Sequence, residues 1–140
     1  GVGLKDIAQK RANNVKDIFS HAIKLLGGKI ENKEGIPPKI LKGIIEEGSF
    51  NDDSLAKEYF GGVLASSRSD VSRDDRGATF IALINSISTY QIRTHYIFYH
   101  IIKKLFNYST IHIGKGREAI KLGVFVPLET YSTSMDFSLQ

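Results

Sequence analysis

Arg93 and His100 are the side chains in this 140-residue chain whose types and spacing best suit acid–base or phosphate chemistry. They stand seven residues apart, so on a helix they share a face, and Lys104 extends that face. The competing reading is a solvated or groove-lining face with no chemistry. His95 and His100 are five apart and point in different directions on a helix, whereas a helical zinc pair needs a spacing of four. No metal site is expected from them, and His21 and His112 have no visible partners. Asp52-Asp53 and Asp74-Asp75 resemble metal-binding carboxylate pairs, but each precedes a helix. Carboxylates there meet unpaired N–H groups and the positive end of the helix dipole, so capping accounts for them. Gly114-Lys115-Gly116 before a short helix has phosphate-loop character but lacks the longer glycine pattern and a preceding strand. Lys115, Arg117 and Lys121, with His112 nearby, are the candidates for nucleic-acid contact. None of these groups calls for a cofactor.

The elements that must position these residues are helices. Leu4, Ile7, Ala8, Ala12, Val15, Ile18, Phe19, Ala22, Ile23 and Leu26 recur in steps of three and four, predicting a helix over 4–26 with one apolar stripe turned to the core. Gly27-Gly28 ends it, because glycine accepts the positive φ of a helix stop. Pro37 and Pro38 begin a second helix over 37–47, since the first turn does not require the missing N–H. Gly48 stops it. Asn51, Asp52 and Asp53 open a third over 52–67, whose Gly61-Gly62 pair makes sense if a neighbouring helix approaches closely. A fourth helix spans 75–87. A fifth, over 89–107, is apolar around much of its circumference and is expected to be central. The tail, 111–140, reads as a short helix over 117–122, a strand over 124–126 that Pro127 interrupts, and a polar, hydroxyl-rich end over 131–140 that is extended or disordered.

The expected fold is therefore mainly α: a compact bundle of about five helices in a single domain, 1–140, with a short C-terminal helix and a strand or hairpin. Helices four and five with that helix and strand would make a winged-helix-like unit. A DNA reader of that kind carries basic residues on its penultimate helix, and Lys115, Arg117 and Lys121 are available, with His112 nearby. The short helix and modest charge favour protein contact over nucleic acid.

Composition narrows the function further. Hydrophobic residues make up 41% of the chain, enough for a packed core. Cysteine is absent, which removes disulfides, thiolate metal sites and cysteine nucleophiles and fits a reducing cytoplasm. The sequence shows no signal peptide and no apolar run of membrane-spanning length. The chain opens Gly-Val-Gly-Leu without a start methionine, which reads as a piece of a longer protein. The formal charge of +4 is spread among acidic residues and forms no dense basic stripe.

One stretch carries a family pattern. It runs Ile36-Pro37-Pro38-Lys39, Glu46-Glu47-Gly48-Ser49-Phe50, Asp52-Asp53, Leu55, Tyr59 and Val63-Leu64-Ala65-Ser66-Ser67. It continues through Arg76-Gly77-Ala78-Thr79-Phe80-Ile81, Leu83-Ile84 and Ile87-Ser88 to Leu122-Gly123-Val124. In order and spacing this resembles the abortive-infection alpha (Abi-alpha) family, bacterial proteins linked to phage defence, over about residues 30 to 126. The resemblance implies an all-helical cytoplasmic bacterial protein with a role in defence and with no established catalytic residues. The chain departs from the family at Ala78-Thr79, where the pattern has His-Pro, so no role resting on that His carries over.

The Arg93…His100 spacing is similar to the motif of HEPN ribonucleases, which are also helical and also act in phage defence. That resemblance implies His100 as general base and Arg93 as phosphate stabiliser in metal-independent RNA cleavage. The expected function is a non-catalytic binding or regulatory module acting through a protein partner or self-association, the latter through exposed aromatics of the fifth helix. The alternatives are a winged-helix-like nucleic-acid binder and a HEPN-like ribonuclease.

Overall fold

The computed structural model describes residues 3–31, 34–68, 75–107 and 124–135. Among the described residues the α-helices are α1 (Leu4–Leu26), α2 (Pro38–Glu46), α3 (Ser54–Ser66), α4 (Gly77–Ser86), α5 (Thr89–Asn107) and α6 (Leu128–Met135). Single 3-10 turns follow α1 and α2 at Gly27–Glu31 and Gly48–Phe50. The chain divides into two compact units, Gly1–Thr89 and Tyr90–Gln140.

In the first unit α1 packs on α3 and on the turn Gly48–Phe50, and α4 packs on α2 and α3. The largest fully buried side chains there are Phe60, Ile18, Ile40, Ile44 and Leu64. Their burial is the main stabilising term, about 1.5–3 kcal/mol for each large apolar side chain. Local chemistry sets the helix ends. Gly27 takes φ 50° and sends its N–H back to the Ile23 carbonyl, closing α1. Pro37 and Pro38 begin α2. Asp53 caps α3, its carboxylate accepting the Ala56 N–H at 2.8 Å. Arg68, just past α3, clamps the segment after α1 by donating to the carbonyls of Lys29 (2.8 Å), Ile30 (3.3 Å) and Glu34 (3.3 Å).

Glycines govern how closely these helices approach. A β-carbon at Gly48 would lie 2.6 Å from Ile18 Cδ1, and one at Gly61 would lie 2.7 Å from His21 Cβ. Gly48 thus serves packing, and α2 ends one residue earlier, at its C-cap Glu47. Gly61 supplies the close approach that the sequence called for, whereas Gly62 faces open space.

In the second unit α5 carries α6. Arg93 Nε donates to the Ser134 carbonyl at 3.1 Å, and the hydroxyls of Thr94 and Tyr131 share a hydrogen bond at 2.9 Å. The Phe98 and Tyr131 rings stack with centroids 5.9 Å apart.

Three expectations are corrected. Residues 124–126 form no strand, and among the described residues there is no sheet, so the strand or hairpin and the winged-helix-like unit fall. The physical reason is that a three-residue β segment needs a partner ladder for its backbone groups, and none of the described residues supplies one. Pro127 opens α6, its carbonyl accepting the Tyr131 N–H at 3.0 Å, and residues 131–135 are helical rather than extended. Proline is compatible with a helix start, and Glu129 in the first turn suits the dipole. Finally, α5 buries only Ile92 and Ile97, while Tyr90, Phe98, Tyr99, Ile102 and Leu105 are exposed, which is not the pattern of a central helix.

Candidate functional site

Among the described residues, three places bring polar or reactive side chains together. The first joins α1 to the turn Gly48–Phe50 and to α3. Asn14, almost fully buried, donates to the Ser49 carbonyl and to Asp52 Oδ1, each at 3.0 Å. Arg11 donates to Ser49 Oγ at 3.1 Å and lies over the Phe50 ring at 4.0 Å. Lys57 reaches Asp17 at 2.8 Å and Asn14 Oδ1 at 3.4 Å, and Lys10 reaches Asp52 at 2.6 Å. The hydrogen bond and charge of Lys57 hold the Asp17 carboxyl below the usual range. The hydrogen bonds from Lys10 and then Asn14 do the same for Asp52. Both carboxylates are stabilised as anions, which suits bracing and not proton transfer near neutrality. Asp52 and Asp53 therefore divide their work: Asp53 caps α3, and Asp52 ties α1 to the chain ahead of it.

The second place is an open cleft of about 200 Å³ at the corner between α3 and α4, lined by Ser66, Ser67, Arg76, Gly77 and Phe80. Gly77 makes the corner tight, since a β-carbon there would run into Ser67 Oγ and lie 2.9 Å from Ile40 Cδ1. Asp75, beside the cleft, pairs with Lys39 of α2 at 2.7 Å. Phe80 forms one wall and is 57% exposed. One turn on, Leu83 is 53% exposed, while Ile81 and Ile84 face inward. The cleft joins an apolar ridge to a guanidinium and two hydroxyls. Among the described residues its walls carry no histidine or carboxylate.

The third place holds Arg93 and His100. Two helical turns of α5 separate them, about 10 Å along the axis. Arg93 is half-buried and spends its Nε–H on α6. His100 is exposed, its ring against Tyr96 (centroids 4.2 Å) and edge-on to Tyr99 (5.5 Å). His95 stacks on Tyr99 at 6.2 Å, and Lys103 lies 5.8 Å from the Tyr99 ring.

Lys115, Arg117 and Lys121, together with Gly114-Lys115-Gly116 and His112, lie outside the described residues. Among the described residues no three His, Asp or Glu side chains converge as a metal site would require, and no helix is long and apolar enough to cross a membrane. The α3–α4 cleft is not apparent from the sequence alone. Its available signal was Arg76-Gly77 ahead of an apolar helix with Phe80 and Leu83 three apart. Comparison with family models, with characterised proteins and with solved structures yields no match to this chain.

Proposed function

We propose that this chain is a non-catalytic protein-binding module whose working surface is the α3–α4 cleft and the ridge beside it. The observation that carries this reading is the exposure of Phe80 and Leu83, two large apolar side chains held out one turn apart on a helix that buries Ile81 and Ile84. Exposed apolar ridges rimmed by polar groups mark protein contact sites. A partner that fits offers an apolar side chain to Phe80 and Leu83. Placing this binding within phage defence rests on the Abi-alpha resemblance alone.

The experiment is site-specific photocrosslinking from position 80 in cells, followed by reconstitution with the captured protein. The expected result is a purified complex whose affinity falls at least tenfold in Leu83→Asp, with helicity unchanged, and is unaltered in Leu105→Asp. Binding indifferent to Leu83→Asp would remove the ridge from the function.

A further inference from the structure

The helix α5 has two unlike sides. Arg93, Thr94 and Phe98 hold α6, through the Ser134 carbonyl, the Tyr131 hydroxyl and the Tyr131 ring. At about 100° per residue, His95, Tyr96, Tyr99, His100 and Lys103 fall on the roughly opposite side. There His95, Tyr99, His100 and Lys103 are exposed and Tyr96 is half-buried. The rings meet in a chain: His95 stacks on Tyr99, Tyr99 is edge-on to His100, and His100 leans on Tyr96. Lys103 lies over the Tyr99 ring. Tyr99 is the pivot of the series, beside His95, His100 and Lys103 and still 51% exposed. Side chains that brace one another in this way lose less freedom when a ligand arrives. The charge has one sign. Helix α5 carries Arg93, Lys103 and Lys104 and no acidic residue. Among the described residues from 90 onward the one side-chain carboxylate is Glu129, on α6.

We propose that this face of α5 binds a single-stranded nucleic acid, its bases stacking on Tyr99 and the neighbouring imidazoles and its phosphates meeting Lys103 and Lys104. Every unpaired base offers a flat π-face, and exposed aromatic rings beside cations are what a strand without sequence preference needs. The His95 and Tyr99 rings lie one turn apart and 13° from parallel, so a strand laid along the helix meets planes of the same tilt at successive turns. Rings and charge together select this occupant over its rivals. A carboxylate-rich peptide would pair the lysines and leave the rings uncovered. A purely apolar surface would bury the lysines without partners, which is costly. A duplex keeps its base faces within its own stack, and its phosphates alone would have only the lysines to bind. Neither stacking nor phosphate contact depends on the sugar, so RNA and DNA strands are the same ligand to this face. The binding involves no cleavage, and Arg93 serves it only as the strut to α6. It uses a different surface from the α3–α4 cleft and stands or falls independently of it.

Fluorescence anisotropy with labelled oligo-uridylate and oligo-thymidylate of about a dozen nucleotides tests the proposal on the whole chain. Wild type is expected to bind both strands with affinities within about threefold of each other, and a blunt duplex about tenfold more weakly. Tyr99→Ala should weaken strand binding about tenfold with unchanged helicity, and Tyr99→Phe, which keeps the ring, should bind as wild type does. Phosphate contacts from Lys103 and Lys104 give a slope of log affinity against log salt of about −1.4, and Lys103→Gln should make it shallower by about 0.7. Lys5→Gln on α1, the same charge change elsewhere, should leave the slope unaltered. Should Tyr99→Ala fail to fold, His95→Ala and the Lys103→Gln slope carry the same test. A wild-type chain that binds neither strand at low salt would overturn the proposal. So would strand binding indifferent to Tyr99→Ala and Lys103→Gln, or a duplex bound as tightly as either strand. An acidic peptide or anionic vesicles bound through Tyr99 and Lys103 in place of the strands would give the face to that partner instead.

Discussion

A β-carbon on Gly61 would sit 3.0 Å from the carbonyl oxygen of Ile18, so α3 and α1 touch backbone to backbone at this pair. The Ala22 nitrogen, at 3.2 Å, and His21 Cβ, at 2.7 Å, close the same space. Most of these atoms belong to the α1 backbone and cannot swing aside. Gly61→Ala is expected to destabilise the chain by about 1–3 kcal/mol, the usual cost of overpacking. Gly62→Ala, one residue on and facing open space, is expected to stabilise it by up to about 1 kcal/mol through helix propensity. Urea denaturation followed by circular dichroism reads both, and opposite signs are the expected result.

Asn14 binds the turn Gly48–Phe50 to α1 through the Ser49 carbonyl and Asp52. Asn14→Ala leaves that buried carbonyl without its donor, at a cost of about 1–3 kcal/mol. Gln9→Ala removes only an exposed bond to Asn13 and should shift the urea midpoint far less.

The two braced carboxylates give the stability a pH dependence of known sign. Asp17 and Asp52 are held below 3.8 in the folded chain. The unfolded chain therefore binds more protons around that pH, and stability rises with pH there. The contribution is fully present above the unfolded value and is lost as pH falls from near 3.8 through the lower folded values. Urea midpoints measured between pH 6 and pH 2.5 should drop on acidification. The drop should shrink in Asp17→Asn and in Lys57→Met, because each removes the pair before the acid does.

Arg93 holds the α6 backbone, and His100 does not. Arg93→Ala is expected to speed amide exchange in residues 128–135 about tenfold, the loss of one charge-assisted hydrogen bond. His100→Ala should leave that exchange unchanged. A ribonuclease built on the pair would instead lose RNA cleavage in both variants, and wild-type protein inert on RNA ends that alternative.

Much of the helical framework was legible from short-range chemistry. The expected bounds of α1 match the observed ones, because its periodicity, Gly27 and the absence of internal breakers act within a turn or two. Pro37-Pro38 and Asp53 mark helix starts for the same local reason. The C-terminal reading failed where a three-residue apolar run with a proline is ambiguous: Val124, Phe125 and Val126 suit a strand only if another strand lies alongside. The candidate cleft was hidden because it needs Ser67 and Gly77, ten residues apart in sequence, to come into contact.

Arg93 and His100 could be placed on one helix by counting, but what Arg93 grips, the Ser134 carbonyl, lies 41 residues away. Asp52 and Asp53 are indistinguishable in sequence, and only the fold gives one to the α3 cap and the other to Lys10 and Asn14. By itself the sequence determined where α1 to α5 run and that α1 has a single apolar stripe, because both follow from interactions within a few residues. The tertiary structure decided which face of α1 is packed. It chose Asn14, Ile18 and Ala22, since only there do Gly48, Gly61 and the Ser49 carbonyl offer space and hydrogen bonds of matching shape. Close approach at the glycines, the buried Ile18 and the paired Asn14 together fixed that face, and Leu4 and Ile23 of the apolar stripe stay exposed.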